Sequence, residues 1–497
     1  MSNEIADIAK AHISGIDLTY RAPELPDAIR MQLPEPILEG HPDWLELYWR
    51  AWGIAYDQVT EPSKASGLVP YCDAAFSQNI FQWDTCFMER FLRYAPTEFC
   101  AYGSLDNFYL KQHADGFICR EIDSVSGEDF WPRDHGSSIN PPLFSDAEWS
   151  LYQVTGDKKR LADVLEPLIR YHEWTRRHRR LSPDTGYWTT ALGSGMDNSP
   201  RALDLGGDDA HSPYGYVWMC MTAQQALSAR RISQIAVEIG RTDVHQAFAE
   251  ESDHLSHYVF ETFWDASRGV YADLGPDGKI SRVLTPAMCW PLLLPQHYPE
   301  RAKRVAETLT DEAKFWRRHA ICSLSADHEL FDPEGHYWCG SVWPPMVYLA
   351  ARAMQATGHF DIANAISENH LENLSEVYAS DGTLWENYAP DSAKPGAISR
   401  PEFVGWTGCG PIALLIESIL GFAVSAPRRL VTWHMLSTAR HGIKRLPIGE
   451  DRLNLVFDAA TESVDVQSET AFDLCIVRDG AEQWFRDLRG QQRLRLS

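Results

Sequence analysis

Two acidic residues stand in turn-rich stretches beside aromatic side chains. Asp197 lies in "GSGMDNSPR", shortly after Tyr187 and Trp188, and Glu386 lies in "GTLWENYAPDSAKPG", between Trp385 and Tyr388. A turn needs Gly, Asn, Ser and Pro for backbone reasons, and a lone aspartate there is explained as an Asx-turn residue. It does not need a carboxylate pressed against indoles. Two carboxyls in an apolar pocket are what glycoside hydrolysis requires. One, kept protonated by its surroundings, gives its proton to the leaving oxygen. The other, ionised, activates water or attacks carbon. A third acid, Asp84 in "QNIFQWDTCFMERF", opens an apolar helical stretch. It either caps that helix or accepts hydrogen bonds from adjacent sugar hydroxyls. Trp188, Trp343, Trp385 and Trp406 are stacking platforms for a sugar or rim and core packing. Asp208, Asp209 and His211, in "LGGDDAHSPYG", line an acceptor site or belong to a solvated loop.

The elements that must carry these residues read as helix after helix. "ADVLEPLIRYHEWTRRHR", "ISQIAVEIG" and "GPIALLIESILG" place apolar residues at a 3.6-residue period. Gly156, Gly240 and Gly358 each close one helix a few polar residues before the next, with Asp157 and Asp243 as starters for the helices that follow. Three such junctions predict stacked helical hairpins. Between them run long loops dense in Trp, Gly, Pro and Asp, at 71–84, 113–145, 183–215, 324–345 and 380–408, the kind that carries function. We divide the chain into an N-terminal extended and helical segment (1–60), a helical catalytic domain (61–422) and a small antiparallel β domain (423–497), the last from short alternating β-branched segments.

Composition limits the function classes. The 497 residues are 44% hydrophobic and 23% charged, with a net charge of -24, which disfavours nucleic acid and anionic membranes as partners. The basic run 176–180 reads as a solvated helix face. Ten cysteines without a CxxC read as buried free thiols in a reducing compartment. "MSNEIADIAKAHISG" lacks the pattern of a signal peptide, and no run of about 18 apolar residues is present. A soluble cytoplasmic protein is expected. No HExxH, EF-hand, Walker A or GxSxG pattern occurs, so no metal and no cofactor is expected.

"QWDTCF", "GSGMDNSPR", "YWCGSVWPP" and "WENYAPDS" together resemble the ordered motifs of family 63 of the glycoside hydrolases, which includes processing α-glucosidase I and bacterial mannosylglycerate and glucosylglycerate hydrolases. The first, second and fourth also resemble the trehalase motifs of family 37. The similarity spans residues 75–422. It implies an (α/α)6 barrel and an inverting mechanism, with Asp197 as general acid and Glu386 as general base. It further implies that Trp83 and Asp84 bind the terminal sugar, that Trp343 lines the pocket, and that Asn198, Arg201 and Tyr388 belong to the substrate-binding set. Relatives often carry Arg and Pro where this chain has Cys339 and Ser341, and Trp where it has Met196, which bears on sugar preference. The reading is an exo-acting inverting α-glycosidase of a small glycoside or oligosaccharide. One alternative is a sugar epimerase or lyase using a loop Tyr or His113, His135, His211 or His336 as proton carrier. The other is a carbohydrate-binding protein without activity, which would not need two acids in aromatic loops.

Overall fold

The computed structural model describes residues 19–74, 77, 79–182, 185–201, 217–295 and 298–496. Asp208, Asp209, His211 and the N-terminal stretch 1–18 lie outside the described residues. The described residues are rich in helix, and a sheet follows near the C-terminus. The main helices are α1 (Pro42–Asp57), α2 (Gln82–Leu92), α3 (Ala101–Leu110), α4 (Phe144–Thr155), α5 (Lys158–Arg179), α6 (Met219–Glu238), α7 (Thr242–Thr262), α8 (Pro299–Leu309), α9 (Pro344–Ala356) and α10 (Phe360–Asp381). Buried helices alternate along the chain with half-buried ones. All of α2 is buried and α9 is buried along most of its length, whereas α3, α5, α7 and α10 each turn one polar face to solvent. "PPMVYLAARAMQA" offers few polar positions and "KKRLADVLEPLIRYHEWTRRHR" offers one apolar stripe, whereas α2 is buried together with five polar or charged side chains, Gln82, Asp84, Thr85, Glu89 and Arg90. Among the described residues no helix is long and apolar enough to cross a membrane.

The hairpin junctions follow the glycine rule. Gly156, Gly240 and Gly358 take φ of 67°, 78° and 82°, the left-handed region that costs a residue with a Cβ about 1 kcal/mol or more. Asp157 caps α5, its carboxylate accepting from the Arg160 N–H at 2.9 Å. Asp243 sits instead in the first turn of α7 and pairs with Arg241. The "GPIALLIESI" stretch departs from the expected period. It winds as a π-helix over Gly410–Ile419, with Leu420 N–H reaching Leu415 C=O at 2.9 Å. Four buried helices converge on one carboxylate. Asp146 of α4 accepts from Arg90 of α2 (2.7 Å), Arg231 of α6 (2.7 Å) and Arg352 of α9 (2.8 Å).

After the π-helix the chain turns to a seven-stranded sheet made of β1 (Glu35–Leu38), β2 (Phe422–Ser425), β3 (Leu430–His434), β4 (His441–Ile448), β5 (Asp451–Asp458), β6 (Ser463–Arg478) and β7 (Ala481–Arg495). The order is β1-β4-β5-β6-β3-β2, with β7 on the other side of β6. The sheet departs from the antiparallel expectation at one pair. β6 is 16 residues long. Its first half pairs with β5 and its second half runs past the end of β5 to meet β3 in parallel, with Leu474 opposite Val431. The strand β1 comes from the N-terminal segment and pairs antiparallel with β4, Glu35 opposite Lys444.

Candidate active site

Asp84, Trp83, Asp197 and Trp406 converge on one recess. Trp83 and Asp84 occupy the first turn of α2, which the extended residue Phe81 precedes. Asp84 is the third residue of α2, behind the N-cap Phe81, and its carboxyl lines the recess. Asp197 follows the 3-10 turn Leu192–Ser194 and Gly195, whose φ is 83°. A Cβ at Gly195 would come within 2.7 Å of the Trp83 indole, so glycine there lets the Asp197 loop lie against that ring. Trp83 meets Trp338 and Trp406 edge-on at 5.9 and 5.8 Å. Three indoles thus wall the site, a geometry that presents flat apolar faces beside polar edges.

Glu386 is 1% exposed. Its backbone is clamped: its N–H donates to Arg400 C=O at 3.0 Å, and its own C=O accepts from Trp406 Nε1 at 2.9 Å. One carboxylate oxygen, Oε1, has no hydrogen-bond partner among the described residues, and neither does the buried Nε1 of Trp83. Buried polar atoms of that kind call for an explanation, and a ligand's hydroxyl or a water supplies one.

The electrostatics follow from burial. Desolvation lifts the Asp197 carboxyl to about 6, against the pull of Arg120 and of a hydrogen bond from Tyr337. Desolvation lifts Glu386 further, to about 8, opposed by Arg400 and reinforced by the charges of Asp197 and Asp84. Asp84 is raised well above the carboxylate range for the same first reason, with Arg120 opposing and Asp197 adding. Three mutually felt carboxyls in one dry site cannot all ionise near neutrality. Between Asp197 and Glu386 the proton rests on Glu386, the more strongly raised of the two.

The remaining expected residues lie around this recess, not in it. Asn198 holds the loop that faces Asp197: its Oδ1 accepts from Trp338 N–H at 2.7 Å and its amide donates to His336 C=O at 3.3 Å. Arg201 forms a buried pair with Asp273, 2.7 Å from each oxygen, and stacks over Trp218. Trp343 stands behind Trp338, stacked at 4.2 Å with planes 4° apart, so Trp338 is the wall and Trp343 its support. Trp188 lies under the Arg179 guanidinium at 4.2 Å. Tyr388 is buried under its own loop, accepting from Trp385 N–H at 2.9 Å, and Trp385 is half-buried and tied to Thr407 through its C=O. Sequence reasoning missed Phe81, Arg120, Tyr337 and Trp338, which line the recess. Tyr337 and Trp338 stood in the quoted "YWCGSVWPP", where no periodicity says which ring faces inward. Arg120 gave no signal in "GFICREID".

Among the described histidines of the alternative reading, two have their rings engaged elsewhere and one acts through its backbone. His113 pairs with Asp129 at 2.7 Å, the His135 Nδ1 accepts from Ser137 N–H, and His336 holds Asn198 through its backbone. A wider cleft separates the end of α4 from the β4–β5 turn. Two of its acids are engaged locally: Asp157 caps α5, and Asp451 accepts from the N–H groups of Glu469 and Thr470.

Residues 77–407 match the family described as the mannosylglycerate hydrolase MGH1-like glycoside hydrolase domain. A Borreliella burgdorferi protein described only as uncharacterized is 23% identical over 410 residues, covering 80% of this chain and 84% of that one. The mannosyl-oligosaccharide glucosidase of Saccharomyces cerevisiae is 23% identical over 317 residues, 58% of this chain and 35% of its own length. This chain therefore spans about a third of that enzyme. Among solved structures, a family 63 mannosylglycerate hydrolase from Thermus thermophilus in complex with glucose superposes with a TM-score of 0.60 at 18% identity, covering 74% of this chain and 99% of that one.

Proposed function

The chain belongs to the MGH1-like glycoside hydrolase family and is a glycoside hydrolase, and from that premise we propose that it is an inverting, exo-acting α-glycosidase releasing a terminal glucose- or mannose-like sugar from a small glycoside or oligosaccharide. The observation that carries this reading is the pair Asp197 and Glu386, both buried and both pushed toward neutral by burial: Asp197 lines the recess walled by Trp83, Trp338 and Trp406, and Glu386 feels the charges of Asp197 and Asp84. Asp197 serves as general acid and Glu386 as general base. Trp83 Nε1 and Asp84 hold hydroxyls of the terminal sugar.

The proton begins on the wrong partner for these roles, and the substrate corrects it. A glycosidic oxygen beside Asp197 favours the neutral carboxyl, because only that form can donate to it. A water held by Glu386 favours the ionised form, which accepts its proton. Water then attacks the anomeric carbon as the C–O bond to the leaving group breaks. Glu386 takes the proton from water and Asp197 gives one to the departing oxygen, so charge balances across the step.

We read residues 61–422 as an (α/α)6 barrel, with 1–60 leading into it and 423–497 as the β domain. The alternation of buried and half-buried helices supports this. Ten free cysteines, nine of them buried, suit a reducing cytoplasm. Proton NMR tests the mechanism: hydrolysis of an α-glycoside of glucose or mannose releases the β-anomer before mutarotation. Release of the α-anomer first would mean retention and would remove Glu386 from the role of base.

A further inference from the structure

We propose that Tyr337 is a positioning residue for Asp197: its phenol holds the Asp197 carboxyl in the orientation from which the proton is delivered, and the strained loop 335–343 exists to present it. The inference rests on the reading of Asp197 as the general acid.

Tyr337 is fully buried, lines the recess and has a φ of 58°. A bulky aromatic residue in the left-handed region is an outlier that persists only where its surroundings over-determine it. Here they do. Its C=O accepts from both Ser341 N–H (3.1 Å) and Trp343 Nε1 (3.1 Å), and its ring meets Trp343 edge-on at 4.9 Å. The next residue, Trp338, is pinned to the Asn198 side chain at 2.7 Å and stacked on Trp343. The Cys339 thiol reaches Asn198 C=O at 3.4 Å. The loop carrying Tyr337 is thus fastened to the residue immediately after Asp197. The product of that arrangement is a hydrogen bond from the Tyr337 hydroxyl to the Asp197 carboxylate. The other charged groups that act on Asp197 are Arg120, Glu121, Asp84 and Glu386. Tyr337 is the neutral donor among them, so it fixes direction without removing the proton from the site.

The phenol favours the ionised carboxylate, so removing it raises the pH at which Asp197 loses its proton. Tyr337→Phe keeps the ring and the backbone. The test measures kcat and KM against pH on an alkyl α-glycoside and on a nitrophenyl α-glycoside of the same sugar, with a thermal melt and with Asp197→Asn in parallel. Tyr337→Phe is expected to move the basic limb of the kcat profile, set by Asp197 once substrate is bound, up by about 0.5–1 pH. It lowers kcat about ten-fold on the alkyl substrate and less than three-fold on the aryl one, which needs little protonation, with KM within about two-fold. A basic limb that does not move, an equal loss on both substrates, or a change confined to KM overturns the proposal. Asn198→Ala frees the loop while keeping the phenol. It shifts the same limb in the same direction, and it decides the question if Tyr337→Phe fails to fold. Asp197→Asn that still cleaves the alkyl glycoside sinks the parent reading. Asp197→Asn inert on that substrate, beside an unmoved limb in Tyr337→Phe, sinks the role of Tyr337 alone.

Discussion

At the scale of single residues, Asp197 and Glu386 behave as one titrating unit. With carboxyls at about 6 and about 8, one proton is shared between them in the window that separates those values. Below it both are protonated and no base exists; above it both are ionised and no acid exists. We expect kcat/KM to form a bell with limbs near those pH values, checked on a freely dissolving substrate. Glu386→Gln keeps size and polarity and should lose about 10²–10⁴-fold in kcat while remaining folded. Asp197→Asn should lose comparably on alkyl glycosides and far less on activated aryl ones. The same buried acid is a burden on the fold. Its folded value lies above the unfolded one, so its stabilising contribution is complete below about pH 4 and is lost as pH rises through about 6. Asp197→Asn should therefore gain about 3 kcal/mol relative to the parent between pH 4 and pH 7.5, read from urea melts at both pH values.

Between elements, the Asp146 hub carries most weight. Burial by itself would raise this carboxyl, but Arg352, Arg90 and Arg231 outweigh it and hold it well below the carboxylate range. Its contribution is present at neutral pH and is lost only as pH falls through that depressed value. Asp146→Ala leaves three guanidiniums of three different helices without their partner. A loss of about 3–5 kcal/mol is expected by denaturant melt, since removing one side of a buried pair strands the other. Asp157→Ala should cost about 0.5–2 kcal/mol through the α5 cap alone, and Asp243→Ala much less, because its carboxylate pairs on the surface with Arg241. The two starters looked alike in sequence. They differ because Asp157 stands one residue before its helix and Asp243 one residue inside.

Over the whole molecule, the N-terminal segment is stitched to both ends of the fold. β1 pairs with β4 of the sheet. A few residues upstream, Ala22 N–H donates to Glu402 at 2.8 Å, and Arg50 reaches the same carboxylate at 2.7 Å. Glu402 follows Arg400, the residue whose C=O receives the Glu386 N–H. Deleting residues 19–40 should therefore lower the melting temperature and also lower kcat, by uncovering β4 and loosening the 400–402 segment that holds the Glu386 backbone. A truncated protein with a lower melt but full kcat would show that the two effects are separate.

What the sequence by itself determined was local: which acids are set in aromatic turns, where glycine must end a helix, and that a β-rich segment follows the last helix. These depend on side-chain identity and on a period read within a few turns, so they survive without coordinates. The tertiary structure decided what depends on partners far away along the chain. Trp338 faces the recess and Trp343 backs it because two stacked indoles leave one inner face. Arg201 turns from the recess because Asp273 lies within 2.7 Å. Residues 35–38 become a strand because the edge of β4 needs a partner for its backbone, and β3 runs parallel to β6 because β6 outlasts β5. Hydrogen-bonding needs of this kind are met in space, and the sequence carries no local mark of where the answering group will stand.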